Sequence, residues 1–132
     1  MLLGFSEEEI AAKEKEIIKF ADIGDFINKP VKTYSSGMYS KLAFAITAIL
    51  ETDITLIDEV LSVGDAQFKE KSYNKMKELI SDDSRTVIIV SHSLGTIKEL
   101  CDEVLWLNEG EVMMKGPASE VIPKYEEFMK SL

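Results

Sequence analysis

Two adjacent carboxylates, Asp58 and Glu59, follow the apolar run Ile54-Thr55-Leu56-Ile57. Acids at the end of such a run are unusual company for a core. In open α/β sheets ligands bind outside the carboxyl ends of the strands. One carboxylate there can hold Mg²⁺, which prefers oxygen ligands and substrate phosphates. Its neighbour, pointing the other way, can orient or deprotonate a water. The same acids could also simply favour the start of a following helix. His92, the one histidine, follows a second apolar run, Thr86-Val87-Ile88-Ile89-Val90. An imidazole at that place can donate to a phosphate oxygen, or be an ordinary polar loop residue. A third segment, Tyr34-Ser35-Ser36-Gly37-Met38, precedes an apolar helical pattern. Ser-Ser-Gly at a helix start offers hydroxyls, backbone N–H groups and a positive dipole end to an anion. It is equally an ordinary serine N-cap.

These residues need a scaffold. Ser6 with Glu9 three residues later is a capping-box pattern. Ile10, Ile17, Ile18 and Ala21 then recur near helical spacing, and the helix is expected to end near Gly24. After a loop containing Pro30, the residues Leu42, Ala45, Ile46, Ile49 and Leu50 mark a largely buried helix. The runs 54–57 and 86–90 read as buried strands of a parallel sheet. Two adjacent parallel strands would bring the ends at Glu59 and His92 together. Between them, Phe68 to Ile80 is amphipathic at period 3.6, and a short helix is expected from about Leu94 to Cys101. Glu103 to Asn108 and Glu111 to Lys115, separated by Glu109-Gly110, read as a hairpin. Ser119 to Met129 closes as a helix, with Pro123 restricting its first turn. Strand and helix alternate in the middle of the chain, which implies an α/β fold.

Bulk properties narrow the function classes. The 132 residues are 45% hydrophobic and 30% charged, the composition of a folded domain. A net charge of −9 opposes a phosphate backbone. Lysines are interleaved with glutamates, as in Glu14-Lys15-Glu16, so no basic patch forms and no nucleic acid partner is expected. Cys101 alone cannot make an internal disulfide, which fits a reducing compartment. The apolar run from Leu42 to Leu50 falls short of the roughly 20 residues of a membrane-spanning helix, so no direct membrane insertion is expected.

The order and spacing of the motifs say more than any one of them. Tyr34-Ser35-Ser36-Gly37-Met38, then Ile54-Thr55-Leu56-Ile57-Asp58-Glu59, then Ser62-Val63-Gly64-Asp65, then His92 resemble the ABC ATPase family's signature motif, Walker B strand, D-loop and switch histidine. The resemblance covers nearly the whole chain. Tyr-Ser-Ser-Gly-Met and Asp-Glu-Val-Leu-Ser-Val-Gly-Asp are similar to the subgroup that exports cell-surface polysaccharides, including teichoic acids and O-antigens. The signature departs from the common Leu-Ser-Gly-Gly-Gln at three of five positions, as is typical of that subgroup.

This resemblance implies part of a P-loop NTPase fold. A piece of the helical subdomain, residues 1–50 with the signature motif, would precede the C-terminal part of the catalytic core, residues 51–132, within one partial domain. It implies that Asp58 binds Mg²⁺, that Glu59 polarises the attacking water, and that His92 contacts the γ-phosphate. Tyr34, Ser35, Ser36, Gly37 and Met38 would meet ATP held by a second, head-to-tail copy of the subunit, with Ser35 and Gly37 on its γ-phosphate. Asp65 would communicate across that dimer. The other implied partner is a transmembrane permease, and the implied location is cytoplasmic, peripheral at the inner face of the cell membrane.

A phosphate-gripping loop needs Gly-x-x-x-x-Gly-Lys followed by Ser or Thr. No Gly-Lys pair occurs in the sequence. In the resembled family that loop lies upstream of all these motifs, so the chain is expected to be a fragment or a truncated gene product, inactive alone, of an ATPase. The remaining readings are a non-catalytic interaction or regulatory module derived from such an ATPase, a chromosome-structure ATPase, and an unrelated α/β enzyme using Asp58 and Glu59. The acidic balance and the lack of a long heptad run oppose the chromosome-structure reading, and the fourfold motif order opposes the unrelated enzyme.

Overall fold

The computed structural model describes residues 3–58 and 64–132. Glu59, Ser62 and Val63, named above, lie outside the described residues. Two compact units divide the chain, Met1–Ile88 and Ile89–Leu132.

The first unit opens with α1 (Glu7–Ala21). Its start is the expected capping box. Ser6 Oγ accepts from the Glu9 N–H, and Glu9 Oε2 accepts from the Ser6 N–H at 2.7 Å. The helix ends at Ala21, three residues before Gly24, because Asp22 takes the left-handed conformation at φ 49°. Ile17 and Ala21 are buried, whereas Ile18 falls on the exposed side. Two short 3-10 helices, Gly24–Asn28 and Val31–Thr33, occupy the expected loop around Pro30.

α2 (Ser36–Ile49) packs against α1. Ile17, Ala21, Ala45 and Leu50 form a cluster, with Phe20, Leu42, Ile46 and Ile49 around it. β1 (Ile54–Asp58) follows, then α3 (Ala66–Ile80). Phe68, Ser72, Met76 and Leu79 are buried along α3 at helical spacing. Three rings from three helices meet: Phe20 stacks on Phe44 at 5.8 Å, and Phe68 meets both edge-on at 5.9 and 6.1 Å. Lys71 of α3 donates to the carbonyls of Phe20 (2.7 Å) and Lys19 (3.2 Å) and so satisfies acceptors at the end of α1.

β2 (Thr86–Val90) is the hydrogen-bonded neighbour of β1, with α3 between them in sequence. The Thr86 N–H donates to the Asp53 carbonyl at 2.8 Å. The expectation that both strands are buried needs correction. Thr55 and Ile57 of β1 are buried, while Ile54 and Leu56 are exposed. In β2 the side chains alternate between half-buried and exposed. Successive strand side chains point to opposite faces, and among the described residues the face of β1 that carries Thr55 and Ile57 is the covered one.

In the second unit, α4 (Leu94–Leu100) is capped by Ser93, whose Oγ accepts from the Thr96 N–H. β3 (Glu103–Asn108) and β4 (Glu111–Pro117) pair antiparallel. Glu109 and Gly110 join them with φ 48° and 83°, as a two-residue type I′ turn requires. The register shifts between Trp106 and Leu107. α5 (Ala118–Ser131) packs on both strands, and Trp106 meets Tyr125 and Phe128 with ring centroids at 5.5 and 5.1 Å. Pro123 lies inside α5, which continues through it. Among the described residues no helix is long and apolar enough to cross a membrane.

Candidate functional site

The signature-like segment sits at the start of α2. Tyr34 is half-buried and closes the second 3-10 helix, where its N–H donates to the Val31 carbonyl at 3.0 Å. Ser35 is the N-cap, with φ −65° and ψ 162°; its Oγ accepts from the Met38 N–H at 3.2 Å. Of the two readings left open by sequence, the serine cap is thus realised. It does not displace the anion reading, because one side-chain oxygen satisfies only one of the first N–H groups of a helix. Ser35 and Ser36 are exposed, and Gly37 and Met38 half-buried, so the start of the helix faces outward. No acidic residue stands in its first turn to compete for an anion.

Asp58 is the last residue of β1 and is exposed. Its exposure follows from strand alternation: the buried Ile57 occupies the covered face. Among the described residues no cluster of three or more metal-ligating side chains occurs. A strand-end carboxylate fits Mg²⁺, which takes one or two carboxylates and completes its shell with water and phosphate oxygens. It does not fit a closed structural metal site.

Asp65 is the N-cap of α3. Its Oδ1 accepts from the Phe68 N–H at 2.8 Å, and its Oδ2 lies 3.1 Å from Lys41 Nζ. These two donors, the amide first, hold its carboxyl below the usual carboxylate range. In the second unit, His92 lies exposed in the link between β2 and α4. The structure thus brings Asp65 to the helix that begins at Ser35, through Lys41. Sequence reasoning passed over Lys41 and gave Gly64 no role of its own. The available signal was a cation, Lys41, on an otherwise apolar helix face six residues after the capping serine.

No family model matches the chain. The teichoic acids export ATP-binding protein TagH of Lactococcus lactis is 50% identical over 130 residues, which are 98% of this chain and 28% of that protein. TagH of Listeria innocua is 49% identical over 130 residues, or 38% of its length. The O-antigen export system ATP-binding protein RfbB of Myxococcus xanthus is 43% identical over 127 residues, 96% of this chain and 29% of that protein. The chain therefore spans roughly a third of the length of these relatives. Among solved structures, a dimeric ATP-binding cassette in a post-hydrolysis state, bound to ADP and Pi, superposes with a TM-score of 0.67 at 25% identity. It covers 87% of this chain and 50% of that one. The ATP-binding subunit of an ABC transporter superposes with a TM-score of 0.75 at 21% identity, over 93% of this chain and 51% of that one. By sequence over nearly its whole length, the chain is similar to a segment of the ATP-binding proteins of teichoic acid and O-antigen exporters, and by fold it matches part of an ATP-binding cassette.

Proposed function

We propose that the chain forms part of an ATP-hydrolysing subunit that drives export of a cell-surface polysaccharide of the teichoic acid class. The observation that carries this reading is the 50% identity to a teichoic acid export ATP-binding protein across 98% of the chain. The site geometry is compatible with it. Ser35 and Gly37 open α2 outward, where a phosphate carried by a second subunit could accept from their N–H groups and from the Ser35 hydroxyl. Asp58 would hold Mg²⁺ largely through water, and the ion would neutralise charge on the terminal phosphates. Glu59, the residue after Asp58, would accept a proton from the attacking water. His92 would donate to the γ-phosphate. Tyr34, Ser36 and Met38 would shape the contact with the opposing nucleotide, and Asp65 would bear on the dimer contact. The implied assembly is a head-to-tail pair docked on a transmembrane permease at the inner face of the membrane.

Phosphate binding by this chain alone has little to rest on, because the sequence contains no Gly-Lys pair to build a phosphate nest with its lysine. Weak Mg·ATP binding is expected for the chain by itself, and calorimetry giving micromolar affinity would contradict that. The test of the catalytic reading places the chain in the matching segment of the Lactococcus lactis relative. The hybrid should hydrolyse Mg·ATP. Glu59→Gln should slow turnover severely while ATP binding persists. Normal turnover in that variant would remove Glu59 from catalysis, and a folded, ATP-binding hybrid without turnover would overturn the assignment.

A further inference from the structure

Two motifs that sequence separates by 24 residues share one side chain. Lys41 lies on α2, and its ammonium reaches Asp65 Oδ2 at 3.1 Å while standing 5.3 Å from the Phe68 ring centre. The Lys41 side chain is 18% exposed against 63% for Asp65, so its aliphatic stem is packed and only its tip meets the carboxylate. The other carboxylate oxygen caps α3 through the Phe68 N–H. Gly64 closes the arrangement. Its φ is +93°, and a Cβ there would stand 3.2 Å from Phe68 and 3.4 Å from Lys41 Cε. A side chain at position 64 would therefore be strained and would push at the lysine stem.

We propose that Lys41 is a positioning residue that ties Asp65 and the start of α3 to the Ser35-capped start of α2, so that the two motifs shift together. Ser35 is six residues from Lys41 on a continuous helix, and a rigid helix carries a displacement along its length. The acid and base differ in burial: Asp65 is the exposed partner and Lys41 the packed one. This deepens the nucleotide-site reading above: a change felt at Asp65 would be delivered to the helix start that faces the phosphate of a second subunit.

The test is done on the 132-residue chain without nucleotide, so that it stands apart from the ATPase assay. Amide spectra and the Asp65 carboxyl titration are recorded for the wild type, Lys41→Met and Lys41→Arg. Methionine keeps the packed stem and removes the charge. In Lys41→Met the Asp65 titration should move up toward the ordinary carboxylate range without reaching it, since the Phe68 N–H still donates. Protonating Asp65 should shift the amides of Ser35 to Met38 in the wild type and in Lys41→Arg, and leave them still in Lys41→Met. Identical titrations in all three proteins would overturn the proposal, as would Ser35–Met38 amides that ignore Asp65 in the wild type. Should Lys41→Met not fold, Asp65→Asn must displace the same amides, and unmoved amides there would refute the coupling. A coupled pair in a hybrid lacking turnover would sink the nucleotide reading and leave the coupling intact. An uncoupled pair in an active hybrid would do the reverse.

Discussion

Phe68→Ala tests the packing that places Asp65. Phe68 is buried, and its ring meets Phe20 and Phe44 edge-on at 5.9 and 6.1 Å. Its backbone N–H, which caps onto Asp65, survives the substitution. The loss is therefore confined to the ring: its transfer out of water, the two aromatic contacts and the cavity left between three helices. Truncating a buried phenylalanine costs about 3–5 kcal/mol, and each aromatic pair lost accounts for about 0.5–1.5 kcal/mol of that. A domain holds only about 5–15 kcal/mol in total, so a substantial share of the first unit's stability should go. At about 4–8 °C per kcal/mol for a unit of this size, its melting temperature should fall by about 12 °C or more. Urea unfolding followed by far-UV circular dichroism measures the change. Trp106 is the one tryptophan and belongs to the second unit, so its fluorescence reports that unit separately. Phe68→Leu, which refills part of the volume but gives up both ring contacts, should cost less than Phe68→Ala. A loss below about 1 kcal/mol in Phe68→Ala would show that the three rings are not a packed junction.

Other expected outcomes follow from single features. Ser35→Ala removes the side-chain acceptor of the Met38 N–H and should destabilise α2 by about 1 kcal/mol in thermal unfolding; Ser35→Asn, another good cap, should restore it. Glu9, Asp65 and Asp82 are each held below the usual carboxylate range, by hydrogen bonds led by Ser6, Phe68 and Ser84 respectively. A carboxyl with a depressed folded-state pKa stabilises the fold above its unfolded value and loses that contribution as pH falls through the folded one. Unfolding free energy should thus decline on acidification below the ordinary carboxylate range, and Asp65→Asn should flatten part of that decline. The Cys101 thiol is pushed up by burial and by the neighbouring Asp102. It should alkylate more slowly than an exposed peptide thiol at neutral pH, and reaction at the peptide rate would contradict its half-buried setting.

Several features were legible in sequence because the bonds that make them are local. The capping box at Ser6 and Glu9 and the Ser35 cap each join residues three apart. The Glu109-Gly110 turn needs two positive φ angles, which a glycine after a polar residue announces. Boundaries were less legible: α1 ends at Ala21, three residues before Gly24, because the non-glycine Asp22 takes the left-handed cap.

The sequence by itself determined the motif order, the α/β alternation, the local caps and the similarity to polysaccharide-export ATP-binding proteins. Only tertiary structure decided which strand faces are covered, since an apolar run such as Ile54 to Ile57 shows that its residues can be buried and not which of them are. Tertiary structure likewise decided that Lys41 holds Asp65 across 24 residues, and that Lys71 closes the end of α1 across 51. Lysines carry no period and no fixed spacing to their partners. Where their flexible stems lead is set by how the helices pack, and that packing brings together residues the chain keeps far apart.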